Sequence, residues 1–238
     1  MYNSIMAIKE EKMHFAQVAA LKTLEQATRA RFSELQRVAG MQSDIFKFHV
    51  NRLKRNGLIF KDEDGLYQLT AEGKSMVGRL DSNTRRQIEQ PKSSMLMVVK
   101  TNQGRILGHM RTREPFNGYW GIASAPMLRG VPAADSASRE LKRQTGITAN
   151  FTIKGAYRLI DKDMRGNVLE DKLFVVAEAV LEKETPPISW CGGVSEWMNE
   201  SDLLAKEKLF PTTAATLDMI ESGEVFKEDV CVYESDEY

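Results

Sequence analysis

The chain has little cysteine. Cys191 and Cys231 are the only two in 238 residues. They form no CxxC pairing and have no histidine nearby, so a disulfide framework is excluded and two reduced thiols are expected. No apolar run approaches the ~18 residues needed to cross a bilayer. The start, "MYNSIMAIKEEK", lacks the apolar core of a signal peptide. A cytoplasmic protein without a membrane partner is the expectation. Net charge is absent too, with 33 Lys+Arg against 33 Asp+Glu, so the total says nothing about partners. The distribution says more. Residues 1–100 hold 17 basic against 11 acidic side chains, and the remainder holds 16 against 22. A mildly basic first part is compatible with nucleic acid.

What is present is an ordinary globular composition, 42% hydrophobic and 28% charged, in a chain long enough for two domains. Residues 11–80 read as helix, helix, helix, hairpin, helix. "FAQVAALKTLEQA" spaces Phe15, Val18, Leu21 and Leu24 along one helical face. "RFSELQRVAG" is a short helix ended by Gly40. "QSDIFKFHVNRLKRNG" is a third, with Ser43 as its N-cap, Gly57 at its close, and Phe46, Val50 and Leu53 on one stripe. "LIFKDEDGLYQLT" is a hairpin around Asp-Gly, and Thr70 caps a fourth helix. Residues 81–92 are polar, contain Pro91 and lack periodicity, as a linker does. From Ser93 strand-like runs dominate, with helices expected at Pro132–Thr145 and about Pro211–Glu221. An α+β domain follows. The acidic stretch 224–238 reads as a loosely held tail.

The first segment resembles the winged helix of ArsR/MarR-type bacterial regulators, on "FKFHVNRLKRNGLI" and "LYQLTAEGKSMV". The resemblance implies that the third helix enters the major groove of duplex DNA. Its outer face would carry Ser43, Lys47, Phe48, Asn51 and Arg52, with Lys54 and Arg55 at its end. Lys and Arg suit phosphates, and Asn51 suits a bidentate pair with adenine. His49 is expected to pack at the helix shoulder. The wing tip "KDEDG" speaks against groove insertion, because Asp62, Glu63 and Asp64 repel phosphate.

Within Trp120–Ile147, "WGIASAPMLRGVPAADSASRELKRQTGI" resembles the Nudix signature G-x5-E-x7-R-E-U-x-E-E-x-G-U, where U is bulky and aliphatic. Arg139, Glu140 and Leu141 match R-E-U, and Gly146 and Ile147 match the closing G-U. Trp120, Gly130 and the later "SEWMNESDLL" fit the same family. Helical spacing puts Ala134, Ala137 and Leu141 inward and Ser136, Glu140, Arg143 and Gln144 on one exposed face. In the family the box carboxylates hold Mg²⁺ or Mn²⁺ on a diphosphate. Hard cations need several oxygen ligands. Here Val131, Arg143 and Gln144 replace three of those carboxylates, and Ala125 replaces the opening Gly. Only Glu140 remains. Loss of metal-dependent hydrolysis is the expectation.

The fold class expected is therefore a mainly α winged helix, three helices plus a β-hairpin, followed by a Nudix-like α+β fold with a mixed sheet flanked by helices. The domains are 1–80, a linker 81–92, 93–223 and a tail 224–238. A DNA-binding regulator is expected, most simply a homodimer. Its second domain is a sensor for a nucleotide or ADP-ribose-like ligand, held by Arg139, Glu140, Arg143 and Gln144, or a dimerisation platform. No cofactor is expected. Two alternatives stay open. One is a hydrolase using Mg²⁺ or Mn²⁺ at Glu140 with ligands from outside the box, from among Asp161, Asp163, Glu170 and Asp171. The other is a protein-interaction module. His109, on a strand, is expected to be packed.

Overall fold

A computed structural model describes residues 13–81, 83–188 and 190–234. The chain divides into two compact units, Met1–Glu89 and Gln90–Tyr238.

The first unit contains α1 (Phe15–Ala27), β1 (Arg29–Ala30), α2 (Phe32–Ala39), α3 (Ser43–Arg55), β2 (Ile59–Lys61), β3 (Tyr67–Leu69) and α4 (Ala71–Val77). Its small sheet runs β1-β3-β2, all antiparallel. The core joins Val18, Leu21 and Leu24 of α1 to Leu35 of α2 and to Phe46, Val50 and Leu53 of α3. Phe15 is not part of that stripe. It is 45% exposed, because a strict three-residue spacing drifts off a 3.6-residue helix, and Ala16, Gln17 and Ala20 complete the buried face instead. Gly40 ends α2 in the left-handed conformation, as expected. Ser43 is not the cap of α3. Gln42 holds the extended N-cap geometry, and Ser43 is the first helical residue. Thr70 caps α4, its Oγ1 accepting from the Gly73 amide at 2.9 Å.

The hairpin carries the acidic tip, and the structure softens its expected repulsion. Arg29 donates to Asp62 at 2.8 Å and to Asp64 at 2.6 Å. Desolvation pushes the Asp62 carboxyl up. Hydrogen bonds from Gln68, the Leu66 amide and Arg29 outweigh that and hold it at about 2. Two of the three acidic side chains are thus shared with one guanidinium.

The expected linker is shorter than 81–92. Residues after α4 turn back on the first unit, with Leu80 bridged to Gln87 and the Ile88 amide donating to Arg79 O at 2.7 Å. The next strand already begins at Lys92.

The second unit contains β4 (Lys92–Thr101), β5 (Arg105–Arg111), β6 (Trp120–Gly121), β7 (Ala123–Pro126), α5 (Ala133–Thr145), β8 (Thr152–Asp163), β9 (Val168–Leu181), β10 (Gly193–Asn199), α6 (Glu200–Leu204), α7 (Thr212–Ser222) and β11 (Phe226–Tyr233). Eight strands form one mixed sheet in the order β10-β5-β4-β9-β8-β11, with β6 on β5 and β7 on β4. The β4–β9 and β8–β11 pairs are parallel. Helices cover both faces, which explains the nearly unbroken apolar run of β4. Met95, Met97 and Val99 pack under Ala137 and Leu141 of α5. Leu96 and Val98 face the other way, toward Leu203 of α6 and Leu217 and Met219 of α7.

The stretch expected to be a loose acidic tail contains β11, which pairs with β8 from Phe226 to Tyr233. Tyr157 donates to Asp229 at 2.6 Å, and Arg158 to Glu228 at 3.2 Å, so its acidic residues are used as strand contacts. Among the described residues no helix is long and apolar enough to cross a membrane.

Candidate functional sites

Burying Phe46, Val50 and Leu53 turns the opposite side of α3 outward. Ser43, Lys47 and Asn51 follow at four-residue spacing with Lys54 and Arg55 beyond, all exposed, and Phe48 lies beside them, also exposed. Arg52 is half-buried at the flank. These seven residues therefore share one end-to-end surface of a single helix. His49 is buried as expected. Its ring stacks on His14 with centroids 3.9 Å apart. Burial, then the neighbouring His14 and Arg52, holds its pKa below the ordinary histidine value.

The second candidate lies on α5. Pro132 precedes the helix at the N-cap, and Gly146 ends it with φ +74°. The face expected to be exposed is largely covered. Ser136 is 0%, Glu140 8% and Gln144 1% exposed. Ser136 accepts from the Leu128 amide at 3.2 Å, and Gln144 Nε2 donates to Ser124 O at 3.1 Å. Ser136 thus fastens the loop before the helix, and Gln144 fastens strand β7, to this face of α5, which is why both are buried. The Gln144 Oε1 atom has no partner. Arg139 remains exposed.

Arg143 donates from both Nε, at 3.0 Å, and Nη2, at 2.7 Å, to the same Glu140 oxygen. Its guanidinium also lies 4.7 Å from the Trp190 ring centroid, while Arg113 lies 5.7 Å from that ring. A guanidinium pair with a largely buried carboxylate is a strong, oriented contact. Glu140 is thereby occupied by a cation of the chain itself.

The carboxylates expected as alternative outside ligands are paired as well, Asp161 through one oxygen only, its Oδ1 having no partner. Lys172 bonds Asp161 at 2.5 Å and Glu170 at 3.0 Å, and Lys92 also pairs with Glu170. Arg158 pairs with Asp171 at 2.8 Å. Asp163 closes a turn, accepting from Asn167 and from the Arg165 amide. Burial pushes the Asp161 pKa up even against Lys172. Among the described residues, no three His, Cys, Asp or Glu side chains converge as a metal site. The donor set does not fit Mg²⁺ or Mn²⁺, which require several unshared oxygens.

A pair that the sequence did not single out lies on β5 and β10. His109 Nδ1 is 3.1 Å from Ser195 Oγ, and its ring stacks with Trp190 at 6.5 Å. Burial, then Arg111 and Arg113, pushes the His109 pKa down to about 4. The visible signal was the doublet Gly192-Gly193. A Cβ at Gly193 would stand 2.2 Å from the His109 ring, and one at Gly192 2.3 Å from Trp190.

No protein-family model and no curated protein matches the chain. Solved structures do. A MutT/nudix family protein from Enterococcus faecalis is similar at 24% identity and a TM-score of 0.41, over 48% of this chain and 45% of its own, so less than half of that protein is matched. The Nudix domain of Shewanella oneidensis NrtR, solved with ADP-ribose, is similar at 18% identity and a TM-score of 0.47, over 64% and 96%. A MutT Nudix hydrolase from Burkholderia pseudomallei is similar at 22% identity and a TM-score of 0.45, over 56% and 99%.

Proposed function

We propose that the protein is a DNA-binding transcriptional regulator. Its first unit is a winged helix, and its second is a Nudix-like domain that no longer hydrolyses but serves as a nucleotide-ligand sensor or dimerisation platform. The observation that carries the reading is the exposed row on α3. Lys47, Asn51, Lys54 and Arg55 stand outward on a helix whose other side is locked into the core by Phe46, Val50 and Leu53. A basic, outward helix followed by a short hairpin is the arrangement that places side chains in a major groove and a strand pair beside it.

In the second unit, Arg143 neutralises the one carboxylate left in the box. A guanidinium there removes a metal ligand and leaves a group that can meet a phosphate once Glu140 releases it. A ligand preferred by one arrangement of the protein would shift operator affinity by its differential binding. The hydrolase alternative requires Glu140 to leave Arg143 and take up Mg²⁺ or Mn²⁺.

The test is an electrophoretic shift screen on genomic fragments with the full chain. Lys47→Ala is expected to weaken binding. It is also expected to lower the slope of log K against log salt by about 0.9, the share of one neutralised phosphate. Asn51→Ala is expected to relax sequence preference at a cost of about 1–3 kcal/mol. Absence of any salt-sensitive binding would retire the DNA reading and favour an interaction module.

A further inference from the structure

Within the first unit a cavity of about 990 Å³ opens between the start of α1, the end of α3, α4 and the turn that follows it. That volume lies at the upper end of small-molecule sites. Met13, Leu58, Met76 and Leu80 give it apolar walls. Arg52, Arg79, Arg85 and Arg86 bring four guanidinium groups to its lining, against the single carboxylate of Glu72.

The stacked His14 and His49 rings form another part of the lining. His14 Nδ1 accepts from the Ala16 amide at 3.2 Å, so in the neutral ring its proton sits on Nε2. His49 differs. It is 8% exposed, and its Nδ1 has no hydrogen-bond partner. A buried, unpaired ring nitrogen costs free energy unless something outside the chain meets it. The cavity therefore offers an aromatic and apolar surface, an excess of fixed positive charge, and one unused buried polar atom.

We propose that this cavity binds an amphipathic organic anion, an aromatic ring bearing a carboxylate or a phosphate ester. The ring packs on Met76, Leu80 and the paired imidazoles. The acid group meets the arginines, whose planar forks match both anions, and accepts from His49 Nδ1. The site does not depend on α3 binding DNA or on the second unit.

The chain has three histidines, which makes them a direct readout. Two lie in the cavity, and His109 lies in the second unit as an internal control. The full-length protein carrying isotopically labelled histidine is titrated with naphthoate, with naphthyl phosphate, and with inorganic phosphate alone, the imidazole signals being assigned from His14→Gln and His49→Gln. Either naphthyl probe is expected to move the His14 and His49 signals saturably and leave His109 in place, and inorganic phosphate at equal concentration to move none. Arg79→Ala with Arg86→Ala is expected to weaken binding about tenfold. Arg86→Ala alone, on an exposed turn, serves if the double variant fails to fold, with a smaller weakening in the same direction. The proposed site is overturned if neither naphthyl probe shifts both signals, if folded arginine variants bind as tightly as the parent, or if inorganic phosphate alone gives the full shift.

Discussion

Gly73→Ala is expected to unfold the first unit. A Cβ at position 73 would stand 1.9 Å from the Leu58 carbonyl oxygen and 2.9 Å from its carbon. Both are backbone atoms, so no rotamer change relieves the clash. The contact is fixed from several sides. The Thr70 amide donates to Leu58 O at 3.1 Å, and Thr70 Oγ1 donates to Gly57 O at 2.6 Å while accepting from the Gly73 amide. Moving α4 away breaks its cap and uncovers Val77 and Leu58, both part of the core. Overpacking against a yielding core costs about 1–3 kcal/mol. Here the obstacle does not yield, and the cost exceeds about 3 kcal/mol, a large fraction of a small domain's stability. Gly78→Ala is the control. It ends the same helix in a right-handed conformation, and a Cβ there meets only Lys74 O at 3.7 Å. That change is expected to stabilise by about 0.4–1 kcal/mol. Far-UV circular dichroism against urea distinguishes the two, and equal stability of both variants would contradict the packing described.

The second unit is expected to lose stability in mild acid through His109. Its folded pKa, about 4, lies below its ordinary value of 6.5, chiefly because of burial. The unfolded chain therefore binds the proton first. Stability is complete above pH 6.5 and falls as pH drops toward 4. The loss attributable to this one ring is about 2 kcal/mol at pH 5 and about 3 kcal/mol below pH 4. Trp120, Trp190 and Trp197 all belong to the second unit, so tryptophan fluorescence follows its unfolding alone. His109→Asn cannot titrate, and between pH 7 and pH 5 it should lose about 2 kcal/mol less than the parent. Parallel losses would show that the ring is not the titrating group.

Local signals in the sequence identified most elements of the first unit. The Thr70 cap, the left-handed Gly40 and the stripe of Phe46, Val50 and Leu53 each follow from neighbours within a turn or two of helix. Failures arose where a distant partner decides. Val230, Cys231 and Val232 of β11 stand beside charged Lys227, Glu228 and Asp229, so alternation was obscured, and the parallel partner β8 lies more than sixty residues earlier. On α5, periodicity identified Ser136, Glu140 and Gln144 as sharing a face. It did not reveal that the loop before the helix and strand β7 cover that face, because the Leu128 amide and Ser124 carbonyl that do so lie outside the helical repeat. Arg143 and Glu140 stand three residues apart, a spacing at which helical side chains meet. Trp190 over Arg143 was not visible in the sequence, since nothing local connects the two.

The central claim about the second unit is that Glu140, held by Arg143, no longer supports metal-dependent hydrolysis. The most direct measurement is turnover of ADP-ribose, NADH and nucleoside triphosphates by the purified full chain with Mg²⁺ or Mn²⁺, with Glu140→Gln run in parallel. The account predicts background rates for both proteins and for every substrate. Turnover by the parent protein that Glu140→Gln abolishes would contradict it.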